Sequence, residues 1–408
     1  MKAAQRLLKY VQIYTTSDEL SDTVPTAARE FDLANLLAAE MKGLGLQKVR
    51  VTDTCYVYGE LSATPGCEDA PAIGFISHMD TAPDFCGKNI HPQIHKDYDG
   101  DEIKLGSSGR ILSPAAFPDL AKMKGKTLIT SDGSTLLGAD DKAGIAEILT
   151  ACERLAAENL PHGRVCIAFT PDEEVGRGAT HFDISGFGAK LAYTVDGGEV
   201  SEITYENFNA AGAELTFHGF NVHPGDAKNV MNNASLLAIE ANSMLPAAEI
   251  PAHTSGREGF FHLISMSGCT EEAHLSYIIR DHSKEHFAIR KDMLRQIVRT
   301  LNEKYGKGTV DLKITDEYQN MLPFVKPYPQ LIDNARAAIR ALGLTPFEEP
   351  IRGGTDGAVL STKGLPCPNL GTGGHAYHGP YEHIAAEDMD MCTSILVGII
   401  RRFAKSGK

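Results

Sequence analysis

Seven side chains in this sequence could act together on a substrate if the fold brought them to one place. His78 and Asp80 follow the apolar run Ala72–Ser77, and Asp140 opens a helix. Glu173 and Glu174 follow a second apolar run, Asp196 follows a third, and His378 sits in a glycine-rich loop from Gly371 to Gly379. Each has an ordinary explanation when taken alone. A buried histidine pairs with a nearby carboxylate, adjacent glutamates make a solvated turn, and aspartates at a helix start are favoured by the helix dipole. Their joint position at strand ends is more telling, because open α/β sheets bind ligands beyond the carboxyl ends of their strands. Two histidines with several carboxylates and no thiolate suit a pair of divalent ions, zinc by default, rather than a closed structural zinc site. Two ions about 3.5–4 Å apart need a bridging carboxylate, and a water between them becomes the nucleophile. A free carboxylate must then take the proton of that water. Glu173 and Glu174 are adjacent and point differently, so one can bind metal while the other stays free as base.

The elements that must position these residues are legible in part. Helical periodicity runs through residues 1–45, where Phe31, Ala34, Leu37, Ala38 and Met41 recur and Gly43 and Gly45 supply a stop. Strands are predicted at 48–52, 55–61, 72–77, 164–170 and 191–195, the third a continuous apolar run typical of a strand buried on both faces. Residues 82–130, rich in Gly, Pro, Asp and Lys, predict an excursion with little regular core. After Asp140 a helix carries Ile145, Ile148, Leu149, Cys152 and Leu155 on one face. Buried strands alternating with helices predict an α/β fold with a mixed, largely parallel sheet flanked by helices.

The pattern changes near residue 207. Strands at 211–217, 259–265, 273–280 and 309–314 and helices at 233–245 and 283–305 complete a β-α-β-β-α-β order, the ferredoxin-like α+β signature. The α/β pattern returns after Pro323, with a helix at 331–342. The expected organisation is a catalytic domain from 1–206 and 318–408, with an inserted domain at 207–317.

Composition bounds the function. The chain has 408 residues with 42% hydrophobic and 23% charged content, ordinary for a globular protein. A formal net charge of -14 argues against non-specific nucleic-acid binding. No apolar run approaches the roughly 20 residues that span a bilayer, and the first residues lack the features of a signal peptide. Eight cysteines are scattered singly with no CxxC pair, which predicts free thiols in a reducing, cytoplasmic setting.

With these residues assembled, the chain resembles the zinc exopeptidase family that holds aminoacylases and carboxypeptidase G-type enzymes, and within it the tripeptide aminopeptidases. The motifs are Ser77-His78-Met79-Asp80-Thr81-Ala82-Pro83, Leu137-Gly138-Ala139-Asp140-Asp141-Lys142-Ala143-Gly144 and Thr170-Pro171-Asp172-Glu173-Glu174-Val175-Gly176. Val195-Asp196-Gly197-Gly198, Asn221-Val222-His223-Pro224-Gly225, Arg352-Gly353-Gly354-Thr355-Asp356-Gly357 and the His378 loop add to them. The resemblance implies a zinc-exopeptidase-like catalytic domain, with the inserted domain as a lid that also forms a homodimer contact. It implies that His78 and Asp196 bind one ion and Glu174 and His378 the other, with Asp140 bridging. Glu173 would be the general base, and Asp80 would fix the tautomer of His78. His223 would stabilise the oxyanion, Arg280 would grip the substrate carboxylate, and Arg352 would contact substrate. The implied cofactors are two divalent ions, zinc with cobalt or manganese as alternatives, and the implied substrates are tripeptides. His375, three residues before the matched histidine, reads as a loop or supporting residue. Asp226 and Asn229 in the lid turn, and Gly379-Pro380-Tyr381 after the metal histidine, depart from the family pattern and bear on substrate preference.

A dipeptidase or an N-acyl-amino-acid deacylase would use the same scaffold. A two-metal phosphoesterase would need an anion nest or P-loop, and none is visible near the ligands. A non-catalytic metal-binding protein would have no need of a spare carboxylate beside a ligating one.

Overall fold

The computed structural model describes residues 1–405. The chain divides into two compact units. One holds Met1–Tyr205, Pro323–Glu349 and the chain from Thr355 on; the other holds Glu206–Leu322 with Pro350–Gly354.

The first unit is built on a seven-stranded mixed sheet. Its central strands Val165–Thr170, Ile73–His78, Ala192–Gly197 and Asn369–Gly371 lie side by side and parallel. Gln47–Val51 and Val57–Leu61 extend one edge antiparallel, and Ile203–Thr204 closes the other. Ile73–His78 and Val165–Thr170 are buried at every position, which explains their unbroken apolar runs. The helix Ala139–Ala157 lies against strand Ile73–His78 and between the helices Ala3–Tyr10 and Ala386–Lys405. Covered on several sides, it buries Ala143, Gly144 and Ala151 as well as the expected stripe of Ile145, Ile148, Leu149, Cys152 and Leu155. All eight cysteines are free thiols.

Two segments differ from the sequence reading. Residues 1–45 form two helices, Ala3–Tyr10 and Glu30–Gly43, rather than a continuous helical stretch. Between them short polar side chains satisfy the backbone locally: Asp18 accepts from Leu20 N, Thr26 Oγ1 from Asp18 N, and Ser21 Oγ from Thr23 N. Residues 82–130 do have a core, made of Tyr98, Leu105, Leu112, Leu120, Met123 and Leu128 with Ala385. Its sheet runs in the order Gly374–His375, His383–Ala385, Leu128–Thr130, Gln93–His95, so half of it comes from near the chain end.

The second unit is a β-α-β-β-α-β arrangement. Strands Asn209–His218, Phe260–Gly268, Glu272–Asp281 and Val310–Tyr318 alternate with helices Ala234–Ser243 and Lys284–Tyr305. The spatial order is Phe260–Gly268, Glu272–Asp281, Asn209–His218, Val310–Tyr318, antiparallel throughout, which is ferredoxin-like. Strand alternation sends Ala211, Ala213, Leu215 and Phe217 to one face, where they meet Leu275, Tyr277 and Ile279 and the helix residues Leu237, Leu294 and Leu301. Pro350–Gly354 joins this unit because Ile351 bridges to Asn207 and the Arg352 guanidinium donates to the Gly256 and Glu258 carbonyls.

Candidate active site

The expected metal ligands of the first unit converge. Asp140 stands between the two histidines: its Oδ1 lies 2.9 Å from His78 Nε2, and its Oδ2 lies 3.3 Å from His378 Nε2. His78 Nε2 is also 3.5 Å from Asp196 Oδ1, and His378 Nε2 is 3.0 Å from Glu174 Oε2. Strand Ile73–His78 ends in the candidate ligand His78, strand Ala192–Gly197 carries Asp196, and the turn after Val165–Thr170 carries Glu174. The four-stranded minor sheet brings in His378 on the loop between two of its strands.

Asp141 also comes within ligand distance, since one of its oxygens lies within 4.8 Å of donors on His78 and Asp196. Its carboxylate is otherwise engaged: Oδ2 accepts from His78 N at 3.2 Å and Oδ1 from Gly144 N at 3.2 Å. Asp141 therefore ties the helix start to the strand end, and Asp140 keeps both oxygens turned toward the histidines. The peptide bond between the two aspartates is cis. The helix start packs so closely that a Cβ on Gly144 would overlap the Val195 carbonyl and come within 2.6 Å of Asp141 Oδ1.

Asp80 has a broader part than the one expected of it. His78 Nδ1 lies 3.1 Å from the Asp80 carbonyl and 3.3 Å from its Oδ1. The same carboxylate accepts from Glu173 N at 3.0 Å and Glu174 N at 3.1 Å, one oxygen each. It clamps the turn that carries both glutamates. Three buried carboxyl groups were not read from the sequence. Glu382 accepts backbone N–H groups beside Asp140. Asp356 accepts from Thr170 Oγ1 at 2.9 Å. Glu30 accepts from Asp172 N at 3.3 Å. Asp356 stands in the Arg352–Gly357 motif with no role of its own, and no local pattern marks Glu382 or Glu30; the partners of all three lie over a hundred residues away in sequence.

The electrostatics are those of crowded negative charge. Burial, and then the neighbouring acids, push Asp196 and Glu174 up to about 7. Burial followed by Asp196 raises Glu173 well above the carboxylate range. Asp140 goes the other way: burial opposes it, but hydrogen bonds from His378 and His78 pull it down. Burial would lower His78, yet Asp196, Asp140 and Asp80 raise it well above its usual value. Asp140 and Glu174 hold His378 up at about 11. Glu174 Oε1 is buried with no hydrogen-bond partner, a costly state for a carboxylate oxygen that a coordinated ion relieves. The donor set and this orphaned oxygen both fit divalent ions.

The remaining candidates lie in the second unit. His223 is 80% exposed and accepts from Gly225 N at 3.2 Å, closing a short turn. Arg280 pairs with Glu317 at 2.9 Å, not with the adjacent Asp281, and lies over the Tyr318 ring. Arg352 stacks on Phe208 and Phe260 besides holding the 254–258 loop. His375 stacks on His383, 3.8 Å from Asp119, in a supporting place in the first unit.

An α/β sheet whose strand ends gather two histidines around a shared carboxylate defines a metallohydrolase of the two-ion type. The model of peptidase family M20/M25/M40 matches residues 132–402, and the chain belongs to that family. It is 50% identical to a protein called Peptidase T from Alkaliphilus oremlandii, over 98% of this chain and 99% of that one. It is also 50% identical over the full length of both chains to a Peptidase T from Caldanaerobacter subterraneus. The fold is similar to the crystal structure of aminopeptidase PepT from Bacillus cereus, with a TM-score of 0.78 at 23% identity over 99% and 98% of the two chains. It is also similar to a dinuclear metal-binding M20 peptidase from Bacillus subtilis, with a TM-score of 0.67 at 14% identity over 99% of each chain.

Proposed function

We propose that this chain is a two-metal aminopeptidase that removes the N-terminal residue of tripeptides. The observation that carries the reading is the Asp140 carboxylate, which offers one oxygen to each histidine. The likeness over the whole chain to relatives called Peptidase T supports the substrate class. His78 and Asp196 would hold one ion, His378 and Glu174 the other, and Asp140 both. Zinc is the default for this donor set, and cobalt or manganese would also be accepted. Ions held there would supply a Lewis acid for the scissile carbonyl and lower the pKa of the attacking water.

The chain's own residues supply the rest. Glu173 would take a proton from the attacking water and pass it to the leaving amine. Asp80 holds the turn that carries Glu173 and Glu174 by accepting from both backbone N–H groups. His223 would donate to the developing oxyanion. Arg280 and Arg352 would hold the substrate carboxylate with donors that their present partners leave over, an arginine having five.

A homodimer through the second unit and a cytoplasmic setting belong to the same reading. Strand Phe260–Gly268 pairs on one side only and leaves Ile264 and Met266 exposed, the kind of edge a second copy covers. Among the described residues no helix is long and apolar enough to cross a membrane.

The deciding assay strips the metals, restores zinc, cobalt or manganese, and compares release of the first residue from di-, tri- and tetrapeptides. Tripeptide cleavage that N-acetylation blocks is the expected result. Faster hydrolysis of an acylated amino acid than of any tripeptide would shift the assignment to a deacylase.

A further inference from the structure

One buried carboxylate beside the ligand cluster has no part in the chemistry above. Glu382 is 1% exposed, and it accepts three backbone hydrogen bonds from the loop that carries Asp140. Oε2 takes Leu137 N and Gly138 N, both at 2.7 Å, and Oε1 takes Asp140 N at 3.0 Å. The loop wraps round the carboxylate because Gly138 adopts a left-handed turn, φ +75°. Glu382 is itself anchored. Its N–H donates to Gly379 O at 3.3 Å. The ring nitrogens of His383 lie 2.7 Å from the Tyr381 carbonyl and 2.6 Å from Asp119 Oδ2. Strand His383–Ala385 pairs with Leu128–Thr130. One short segment thus supplies His378 to the cluster and, four residues on, grips the backbone of the aspartate that faces His378.

We propose that Glu382 is a positioning residue: by gathering the 137–140 N–H groups on one carboxylate, it holds Asp140 where each oxygen can serve a different ion. The proposal rests on the two-metal reading of the site. An apolar residue here would leave three buried donors unpaired, whereas a glutamine keeps the shape and turns one amide N–H₂ against a donor. The expected failure is local, in metal retention and turnover rather than in substrate binding.

The test uses the full-length, zinc-loaded protein with E382Q, E382D and, as a core control in the adjoining helix, L155A. Zinc per chain is measured after dialysis against graded chelator, alongside kcat and KM on a tripeptide and the melting temperature of the metal-stripped proteins. E382Q should give up zinc at about 10–100-fold weaker chelation, with kcat falling in like measure and KM within about twofold. E382D, charged but one methylene short, should fall between E382Q and wild type, and it carries the test if E382Q does not fold. L155A should melt lower while keeping wild-type zinc retention. Wild-type retention and kcat in E382Q and E382D would overturn the proposal, as would L155A losing zinc in step with its melting temperature to the same extent. A wild-type protein that holds no zinc and cleaves no tripeptide would overturn the two-metal reading itself, and this inference with it.

Discussion

Asp140 and His223 both sit at tight turns and are both assigned to chemistry, yet they are held on opposite terms. The Asp140 side chain is 13% exposed, faces a histidine on either side, and has its backbone gripped by Glu382. His223 is 80% exposed, and its ring meets its own turn through Gly225 and the more distant Asp226. The same contrast runs through the two units. In the first, carboxylates fix the ligand-bearing backbone: Asp80 the glutamate turn, Asp141 the end of the histidine strand, Glu382 the aspartate loop. In the second, candidate substrate contacts are either open to solvent or committed to local partners, as Arg280 is to Glu317. A group that binds metal gains from rigid placement before substrate arrives, because electrostatic stabilisation works best when no reorganisation is needed.

Four experiments would break or sharpen that contrast. The largest effect is expected of Asp140→Ala, which should lose both ions together and reduce tripeptide turnover to background, as read by elemental analysis and rate. Retention of one ion would show that the carboxylate is not shared. Glu173→Gln should keep its metal while kcat falls about 10²–10⁴-fold, the span for a general acid–base group. His223→Ala should lower kcat about 10²–10³-fold, the cost of one oxyanion donor, with the melting temperature unchanged because the residue is exposed. An unchanged kcat would confine the chemistry to the first unit and remove the contrast. Asp80→Asn should cost about 10–100-fold in metal affinity or rate, typical of a group that orients ligands.

Stripping the metals should expose a pH dependence that the loaded protein lacks. Burial pushes the Asp196 and Glu174 carboxyls up to about 7 in the folded chain, against ordinary values of 3.8 and 4.5. His78 and His378 are likewise raised. In each case the folded state binds more protons than the unfolded one, so stability of the stripped protein falls as pH rises. The carboxyl contribution is lost from about 4 to about 7, and the histidine contribution from about 6.5 upward. Melting curves across that range check the sign, and added zinc should flatten them.

Much of this is legible in the sequence. The buried strands announced themselves as unbroken apolar runs, and the ligand types stood at their ends. The second unit's alternation from Ala211 to Phe217 gave its strand face directly. What could not be read depended on partners far away in sequence. Glu382 meets the 137–140 loop across more than 240 residues. The core of residues 82–130 is sparse until strands from the chain end complete it. The 11–29 stretch is held off helix by threonine, serine and aspartate side chains that bond their own backbone. The Arg280–Glu317 pair could not be read either, because nothing in the sequence around Arg280 signals Glu317.

Gly144 carries one further consequence. It has no functional group, yet it sets the clearance between the helix that begins at Ala139 and the strand that brings Asp196 to the cluster. A single methyl there would wedge the two apart and shift Asp140 and Asp196 relative to each other. A saturation scan scored by turnover should therefore rank Gly144 with the ligands. Selection for new substrates would find the spacing of the centre barred to gradual change from that side, and would have to work through the residues that face the peptide.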